Sequence, residues 1–128
     1  MTIAYLDTSA AMKLVVDEPE SEPLLRALTS HPRRLVASWL LHTELHCAAG
    51  RHPDTIRSDA ITAVLEAIDL IDLTRGDMIA AGAHKPLRSH DALHLAVAIR
   101  LGVDEMLTYD RELADVATHA GLRALAPR

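Results

Sequence analysis

The stretch "IAYLDTSAAMK", residues 3–13, begins as an apolar run and ends that run on an acid, Asp7. Residues 3–6 predict a short buried strand, and "SAAMKLVV", residues 9–16, predicts a helix directly after it. An aspartate between a strand and a helix has two interpretations. It caps the helix through its side chain, or it is one ligand of a metal site at the end of the strand.

The rest of the chain repeats this alternation of strands and helices. Further strands are predicted over 33–38, 68–73, 105–110 and 123–127, and further helices over 21–29, 39–49, 55–67, 76–84, 90–101 and 111–121. Ser21 and Ser89 are predicted helix caps, and Gly102 is a predicted helix stop. Short links between alternating elements predict a parallel sheet covered by helices on both faces. With no repeat and no linker, residues 1–128 form one predicted domain.

The composition limits the classes of function. Hydrophobic residues make up 49% of the chain, with one Trp, two Tyr and no Phe, so the predicted core is aliphatic and an aromatic base-stacking platform is disfavoured. A net charge of −5 argues against a general cationic nucleic-acid binder. It does not exclude a nuclease, since bound cations neutralise acids. Eleven of the thirteen basic residues are Arg, which suits phosphate contacts but is equally expected from genomic base composition.

The cysteine content and the hydropathy of the sequence also constrain the cellular location and the redox chemistry of the protein. Cys47 is the only cysteine, which excludes an intramolecular disulfide and a cysteine-rich zinc site. Asp7 interrupts the only candidate for a signal peptide, and no uncharged apolar run has the length of a membrane span. The sequence therefore predicts a soluble cytoplasmic protein without membrane contact.

Two acids stand at corresponding places in this pattern. Asp7 ends the strand "IAYLD" and Asp110 ends the strand "MLTYD", and a helix follows each of them. Ligands of an open parallel sheet bind at the carboxyl ends of its strands. We therefore expect both carboxylates at one edge of the sheet, and next to each other if their strands are neighbours.

Glu44 and Asp91 are two further candidates. Glu44 lies in the apolar helix "WLLHTELHCAA", where a buried carboxylate needs a partner; the alternative is a Glu at the exposed rim of the helix. Asp91 lies in a first helical turn, where the helix dipole alone favours an acid. Four acids at one edge would repel one another unless cations bridge them, and oxygen ligands select Mg²⁺ or Mn²⁺.

Other motifs are absent. "HTELH" lacks the zinc-protease spacing, and there is no phosphate-binding glycine loop and no nucleophile elbow. His90 and His94 are one helical turn apart, but histidines satisfied at the surface or in the core are favoured over a zinc pair.

Four segments together resemble a known family. "YLDTSAAMKLVVDEPES", the Glu of "HTEL", "HDALHLAVA" and "LTYD" occur in the order and spacing of PIN-domain ribonucleases, most of all the VapC-like toxins of bacterial toxin–antitoxin pairs. The resemblance covers essentially the whole chain. It implies an α/β fold of three layers, α/β/α, with a short central parallel sheet flanked by helices. It also implies a metal-dependent endoribonuclease that a small cognate antitoxin inhibits and that forms a homodimer.

The resemblance also implies which residues form the site. The family's metal-binding acids correspond to Asp7, Glu44, Asp91 and Asp110, with Mg²⁺ as the cofactor and Mn²⁺ as a substitute. Asp110 departs from the pattern in being followed by Arg111 and Glu112.

Three hydroxyls complete the implied site. The hydroxyl beside the first acid corresponds to Thr8 or Ser9, and the threonine two residues before the last acid is Thr108. Thr8 or Ser9 is expected to orient a ligand carboxylate or a water, Thr108 to position Asp110 or the phosphate, and Arg111 to contact a flanking phosphate. Two alternatives stay open: a non-catalytic PIN-like module that binds a protein, and a DNA nuclease of related fold.

Overall fold

The computed structural model describes residues 1–128, and its centre is a parallel sheet of five strands. The strands are β1 (Thr2–Leu6), β2 (Arg33–Ser38), β3 (Asp69–Ile71), β4 (Glu105–Leu107) and β5 (Arg123–Leu125). Their order across the sheet is β3-β2-β1-β4-β5. The first strand is therefore central, with Leu6 paired to Leu107 and Tyr5 to Val36.

Seven helices connect the strands. They are α1 (Thr8–Val15), α2 (Ser21–Thr29), α3 (Trp39–Arg51), α4 (Ser58–Glu66), α5 (Arg75–Ala81), α6 (Ser89–Leu101) and α7 (Arg111–His119). The chain moves from β1 to β2 and β3 in one direction, then returns to β4 and β5 on the other side. Since parallel connections are right-handed, this reversal places α1–α4 on one face and α5–α7 on the other. The predicted three-layer α/β/α fold is confirmed.

The core is aliphatic, as the composition predicts. One cluster of 23 buried residues joins the sheet to both helical layers. Leu6, Leu41, Leu95 and Met106 are among its largest members and are fully buried. None of the helices combines the length and the apolar character needed to cross a bilayer.

Several predicted boundaries are wrong. The helix predicted over 9–16 is Thr8–Val15, because Asp7 caps it, and the helix predicted over 55–67 is Ser58–Glu66. The helix predicted over 76–84 is Arg75–Ala81, because the Thr74 hydroxyl accepts a hydrogen bond from the Asp77 N–H and caps it earlier. The strand predicted over 68–73 is shortened to Asp69–Ile71, since only these residues pair with β2.

The two serines predicted as helix caps are the first residues of their helices instead. The Ser21 hydroxyl accepts a hydrogen bond from the Glu18 N–H and donates one to the Val16 carbonyl, so the preceding turn occupies it. Ser89 follows Arg88, which holds the cap position without a side-chain hydrogen bond. The predicted stop at Gly102 is confirmed, because its φ of 62° is the left-handed conformation that glycine adopts easily.

Candidate active site

Asp7 lies directly after β1, at the carboxyl end of the central strand, and only 2% of the residue is exposed. Its Oδ1 accepts hydrogen bonds from the Ser9 hydroxyl at 2.7 Å and from the Ala10 N–H at 2.9 Å. Its Oδ2 accepts one from the Thr108 hydroxyl at 2.6 Å. The two interpretations of Asp7, helix cap and metal ligand, are therefore compatible. Asp7 caps α1, and its own carboxylate is fixed at the end of the strand.

Thr108 connects the ends of the two neighbouring strands. Its hydroxyl donates to Asp7 and accepts a hydrogen bond from the Asp110 N–H at 3.1 Å. The Asp110 carboxylate in turn caps α7 by accepting from the Leu113 N–H at 2.9 Å. The prediction that Asp7 and Asp110 lie at one edge of the sheet is thus confirmed, since β1 and β4 are hydrogen-bonded neighbours. Thr108 positions the Asp7 carboxylate and the Asp110 backbone, rather than the Asp110 carboxylate.

Asp91, in the first turn of α6, differs from the other acids because its carboxylate makes no hydrogen bond. Its side chain is 11% exposed, and the Nε2 atom of the His90 imidazole lies 3.6 Å from its Oδ1. Burial raises the pKa of Asp91, and the negative charges of Asp110 and Asp7 raise it further, against the opposing effect of His90. The structure therefore brings three of the predicted acids into electrostatic contact.

Glu44, on α3, is hydrogen-bonded through one of its two carboxylate oxygens. Its Oε1 accepts hydrogen bonds from the Thr8 hydroxyl and from His94 Nε2, both at 2.7 Å. Burial acts to raise the pKa of Glu44, but the hydrogen bonds from His94 and Thr8 outweigh it and bring that pKa below its usual range. Glu44 is therefore an ionised carboxylate held between α1 and α6, as its place on an apolar helix requires.

The two hydroxyls after Asp7 serve different acids. Ser9 donates to Asp7, and Thr8 donates to Glu44. The sequence left the choice between them open, and the structure uses both. Ser9 also accepts a hydrogen bond from the Tyr109 N–H at 2.8 Å, which ties the start of α1 to the segment after β4.

Sequence reasoning missed a buried network behind Glu44. His94 is fully buried on α6, and its Nδ1 lies 2.7 Å from the hydroxyl of Tyr5 on β1. That hydroxyl accepts a hydrogen bond from the Ser38 N–H at 3.2 Å. The hydroxyl of Tyr5 therefore donates to Nδ1, and Nε2 carries the proton that is donated to Glu44. A detectable signal was the spacing of three residues between Asp91 and His94, which places both on one face of α6.

The donors suit a hard divalent cation, although they do not form a closed cluster. No three Asp, Glu, His or Cys side chains are grouped tightly enough to hold an ion as they stand. Asp7 uses three of its roughly four acceptor positions, which leaves one on Oδ2. Burial raises the pKa of Asp7, although the hydrogen bonds from Thr108, Ser9 and Ala10 oppose it. Buried carboxylates with raised pKa values beside one another favour a bound cation.

Comparison with known proteins agrees with this geometry. The family model described as the PIN domain matches residues 4–118. The chain is 41% identical to ribonuclease VapC46 of Mycobacterium tuberculosis, with 99% of both chains covered. It is 35% identical to ribonuclease VapC35 of the same species, with 96% of both covered.

Solved structures show the same fold. The chain matches VapBC2 of Rickettsia felis, crystallised with promoter DNA, with a TM-score of 0.72, 14% identity and coverage of 99% and 100% of the two chains. It matches VapC20 of Mycobacterium tuberculosis, described as a toxin that cleaves the sarcin-ricin loop, with a TM-score of 0.72, 17% identity and coverage of 97% and 99%. The family model and the curated relatives span nearly the whole chain, and the chain therefore belongs to the PIN-domain family, among the proteins named VapC ribonucleases.

Proposed function

We propose that this protein is a metal-dependent endoribonuclease that hydrolyses RNA phosphodiester bonds and is the toxin of a toxin–antitoxin pair. The names of its relatives support the ribonuclease activity, since VapC46 and VapC35 are both called ribonucleases. The acids that the sequence singles out lie at one edge of the sheet, which supports a catalytic role over a purely structural one.

One observation carries this proposal: the Asp91 carboxylate, on a side chain that is only 11% exposed, makes no hydrogen bond and lies beside two other acids. Placing a carboxylate in a largely buried position without a hydrogen bond is unfavourable. Asp7 and Asp110 make the position of Asp91 still less favourable when all three are ionised. A bound cation removes this repulsion, which explains why three acids stand together.

The cation that we propose is Mg²⁺, with Mn²⁺ as a substitute, held by Asp7, Asp91, Glu44 and Asp110. Such an ion acts as a Lewis acid at the phosphate and lowers the pKa of water. The residues around it fix the acids in place. Thr108 and Ser9 hold Asp7, while His94 and Thr8 hold Glu44, so each carboxylate presents a defined lone pair.

The substrate contacts follow from the charges at the rim. Arg111 is the first residue of α7, directly after Asp110, and is exposed. We expect its guanidinium to bind a phosphate next to the scissile one. The acids themselves repel the RNA, so phosphate binding depends on the cation and on such rim arginines.

The proposal also includes an inhibiting antitoxin, an oligomeric state and a cellular location. A small cognate antitoxin inhibits the enzyme, as the toxin–antitoxin complexes among the matched structures suggest. The protein forms a homodimer, which light scattering tests. It acts in the cytoplasm, where a single exposed cysteine stays reduced.

Cleavage of labelled single-stranded RNA in Mg²⁺ or Mn²⁺, compared with EDTA, tests the activity. We expect cleavage only with the metal, and loss of cleavage in Asp7→Asn. The matched control is Asp115→Asn, because Asp115 is an exposed acid on α7 away from this network. Cleavage that survives both chelation and Asp7→Asn would refute the metal-dependent mechanism.

The same experiment separates the two alternatives. A non-catalytic module that binds a protein would cleave neither RNA nor DNA under any condition. A DNA nuclease would cleave labelled DNA in preference to RNA of the same sequence.

A further inference from the structure

We propose that a cleft between α1 and α3 binds the ribonucleotide on one side of the scissile phosphate, and that Arg51 at its outer end contacts the next phosphate. This inference rests on the ribonuclease function proposed above and assigns part of the RNA path. The proposed RNA path then runs from Arg51, past the acids, to Arg111.

The cleft is continuous with the acidic site. Thr8 and Glu44, which are hydrogen-bonded to each other at 2.7 Å, line its inner end. Its volume is about 430 Å³, within the range of small-molecule binding sites. An RNA strand with one phosphate at the acids must extend away from the site on either side. This cleft offers it an open route.

The charges along the cleft suit a phosphodiester strand. Glu44 and Arg51 are seven residues apart on α3, so they lie on one face of the helix and about 10 Å apart along its axis. Arg51 is exposed and takes part in none of the ion pairs of the protein. A free guanidinium one to two nucleotides from a cation-binding acid is suited to a flanking phosphate.

The walls of the cleft suit a nucleobase. Met12 on α1, with Cys47 and Ala48 on α3, gives the cleft an apolar lining. Apolar walls with one cation at the mouth accept a base and leave its phosphate in solvent beside the guanidinium. RNA is favoured over a protein segment as the occupant because the cleft reaches Glu44, one of the acids proposed above to act on phosphate.

Cys47 provides a direct measurement of occupancy, because it is the only cysteine of the chain and lines the cleft. The alkylation of Cys47 by iodoacetamide is followed in the Asp7→Asn variant in Mg²⁺, with single-stranded RNA of randomised sequence as the probe. We expect RNA to slow the alkylation, and Arg51→Ala to raise the RNA concentration needed by about fivefold. Unchanged alkylation at RNA concentrations that saturate binding, measured by fluorescence anisotropy, overturns the proposal.

The salt dependence of RNA binding identifies Arg51 as a phosphate contact. Losing one such contact reduces the slope of log K against log salt by about 0.7 for a single strand. We expect this reduction in Arg51→Ala, its absence in Arg51→Lys, and an unchanged slope in the control Arg75→Ala, which removes an exposed arginine on α5. In cleavage by the otherwise unaltered enzyme, Arg51→Ala should raise KM about fivefold and change kcat less.

These outcomes distinguish the two proposals. If the unaltered protein cleaves RNA but Arg51→Ala behaves like Arg75→Ala in KM and salt slope, the cleft proposal is wrong and the ribonuclease proposal stands. If no RNA is cleaved in Mg²⁺ or Mn²⁺, the ribonuclease proposal itself fails. Protection of Cys47 by a protein partner but not by RNA assigns the cleft to that partner and overturns the inference.

Discussion

His94 Nε2 on α6 lies 2.7 Å from Glu44 Oε1 on α3, and this contact joins the buried core to the acidic edge of the sheet. Through its other nitrogen, His94 is bonded to Tyr5 on the central strand, and Tyr5 is bonded to the backbone of Ser38. Elements from both helical layers thereby determine the position of one carboxylate. A site held in this way is preorganised, because its acid does not depend on a mobile surface rotamer.

The first prediction concerns this network. Tyr5→Phe removes the hydroxyl and leaves the Ser38 N–H and His94 Nδ1 without partners, so the free energy of unfolding should fall by about 2 kcal/mol. Urea denaturation measures this change. The matched control is Tyr109→Phe, whose hydroxyl donates to the Pro127 carbonyl at 2.7 Å in a partly exposed place, and its cost should be below about 1 kcal/mol. Equal costs for the two variants would contradict the network.

The second prediction concerns Thr108, which is 1% exposed and donates to Asp7 at 2.6 Å. Thr108→Val keeps the shape but removes that donor and the acceptor for the Asp110 N–H. We expect kcat/KM for RNA to fall by about tenfold or more, with a smaller effect on folding. Thr108→Ser keeps the hydroxyl and should retain most of the activity, which a purely steric role would not explain.

The third prediction concerns Asp91 and the cation. Asp91→Asn removes a charge that Asp7 and Asp110 repel, so the metal-free protein should gain on the order of 1 kcal/mol of stability at pH 7. The same variant should lose most of the stabilisation by Mg²⁺, which is about 2.7 kcal/mol at one hundred times Kd. Thermal unfolding with and without Mg²⁺ measures both effects, and Asp115→Asn is the control for loss of a surface charge.

The dependence of this effect on pH has a defined sign. The pKa of Asp91 in the folded protein is raised above its ordinary value of 3.8. The protonated group therefore gives its full stability below that value, and stability is lost as the pH rises through the folded pKa. The advantage of Asp91→Asn should accordingly vanish below about pH 4. An advantage that persists unchanged in acid would exclude charge repulsion as its cause.

The fourth prediction concerns Asp77 on α5, whose contribution to stability changes with pH in the opposite direction to that of Asp91. Its carboxylate accepts hydrogen bonds from Arg100 at 2.7 and 2.9 Å and from the Thr74 N–H at 2.9 Å. The hydrogen bond from Arg100, followed by that from Thr74, holds the pKa of Asp77 below its ordinary 3.8, although burial opposes this. The stability that the ionised Asp77 carboxylate contributes is present above pH 3.8 and is lost as the pH falls through the pKa of the folded state.

The substitution Asp77→Asn tests the direction of this pH dependence. Asp77→Asn should lower the free energy of unfolding by about 2 kcal/mol at pH 7 and by progressively less in acid. Urea unfolding across this pH range measures the difference. The exposed ion pair of Arg57 with Asp59 is the matched control, and Asp59→Asn should cost clearly less than Asp77→Asn, because water screens an exposed pair.

Local sequence patterns were sufficient for the class of fold and for the acids. Alternating periodicities of two and 3.6 residues predict the strands and helices, because burial of one face is a local property of each element. Asp7 and Asp110 were found since a strand end followed by a helix is visible in the sequence, and the parallel arrangement places both at one edge. The predicted ends of helices were less accurate, because they depend on hydrogen bonds of Thr74 and Ser21 that the sequence patterns do not specify.

The internal organisation of the site was decided only by the tertiary structure. Nothing in the sequence joins Tyr5 to His94, 89 residues away, or divides Thr8 and Ser9 between two acids. These contacts follow from the strand order β3-β2-β1-β4-β5, which brings the ends of β1, β2 and β4 together, with α3 on one face of the sheet and α6 on the other. The sequence by itself determined which acids stand at the edge of the sheet. The packing of distant elements determined which hydroxyl, imidazole and backbone groups hold them, since a buried polar group takes the partner that the fold places beside it.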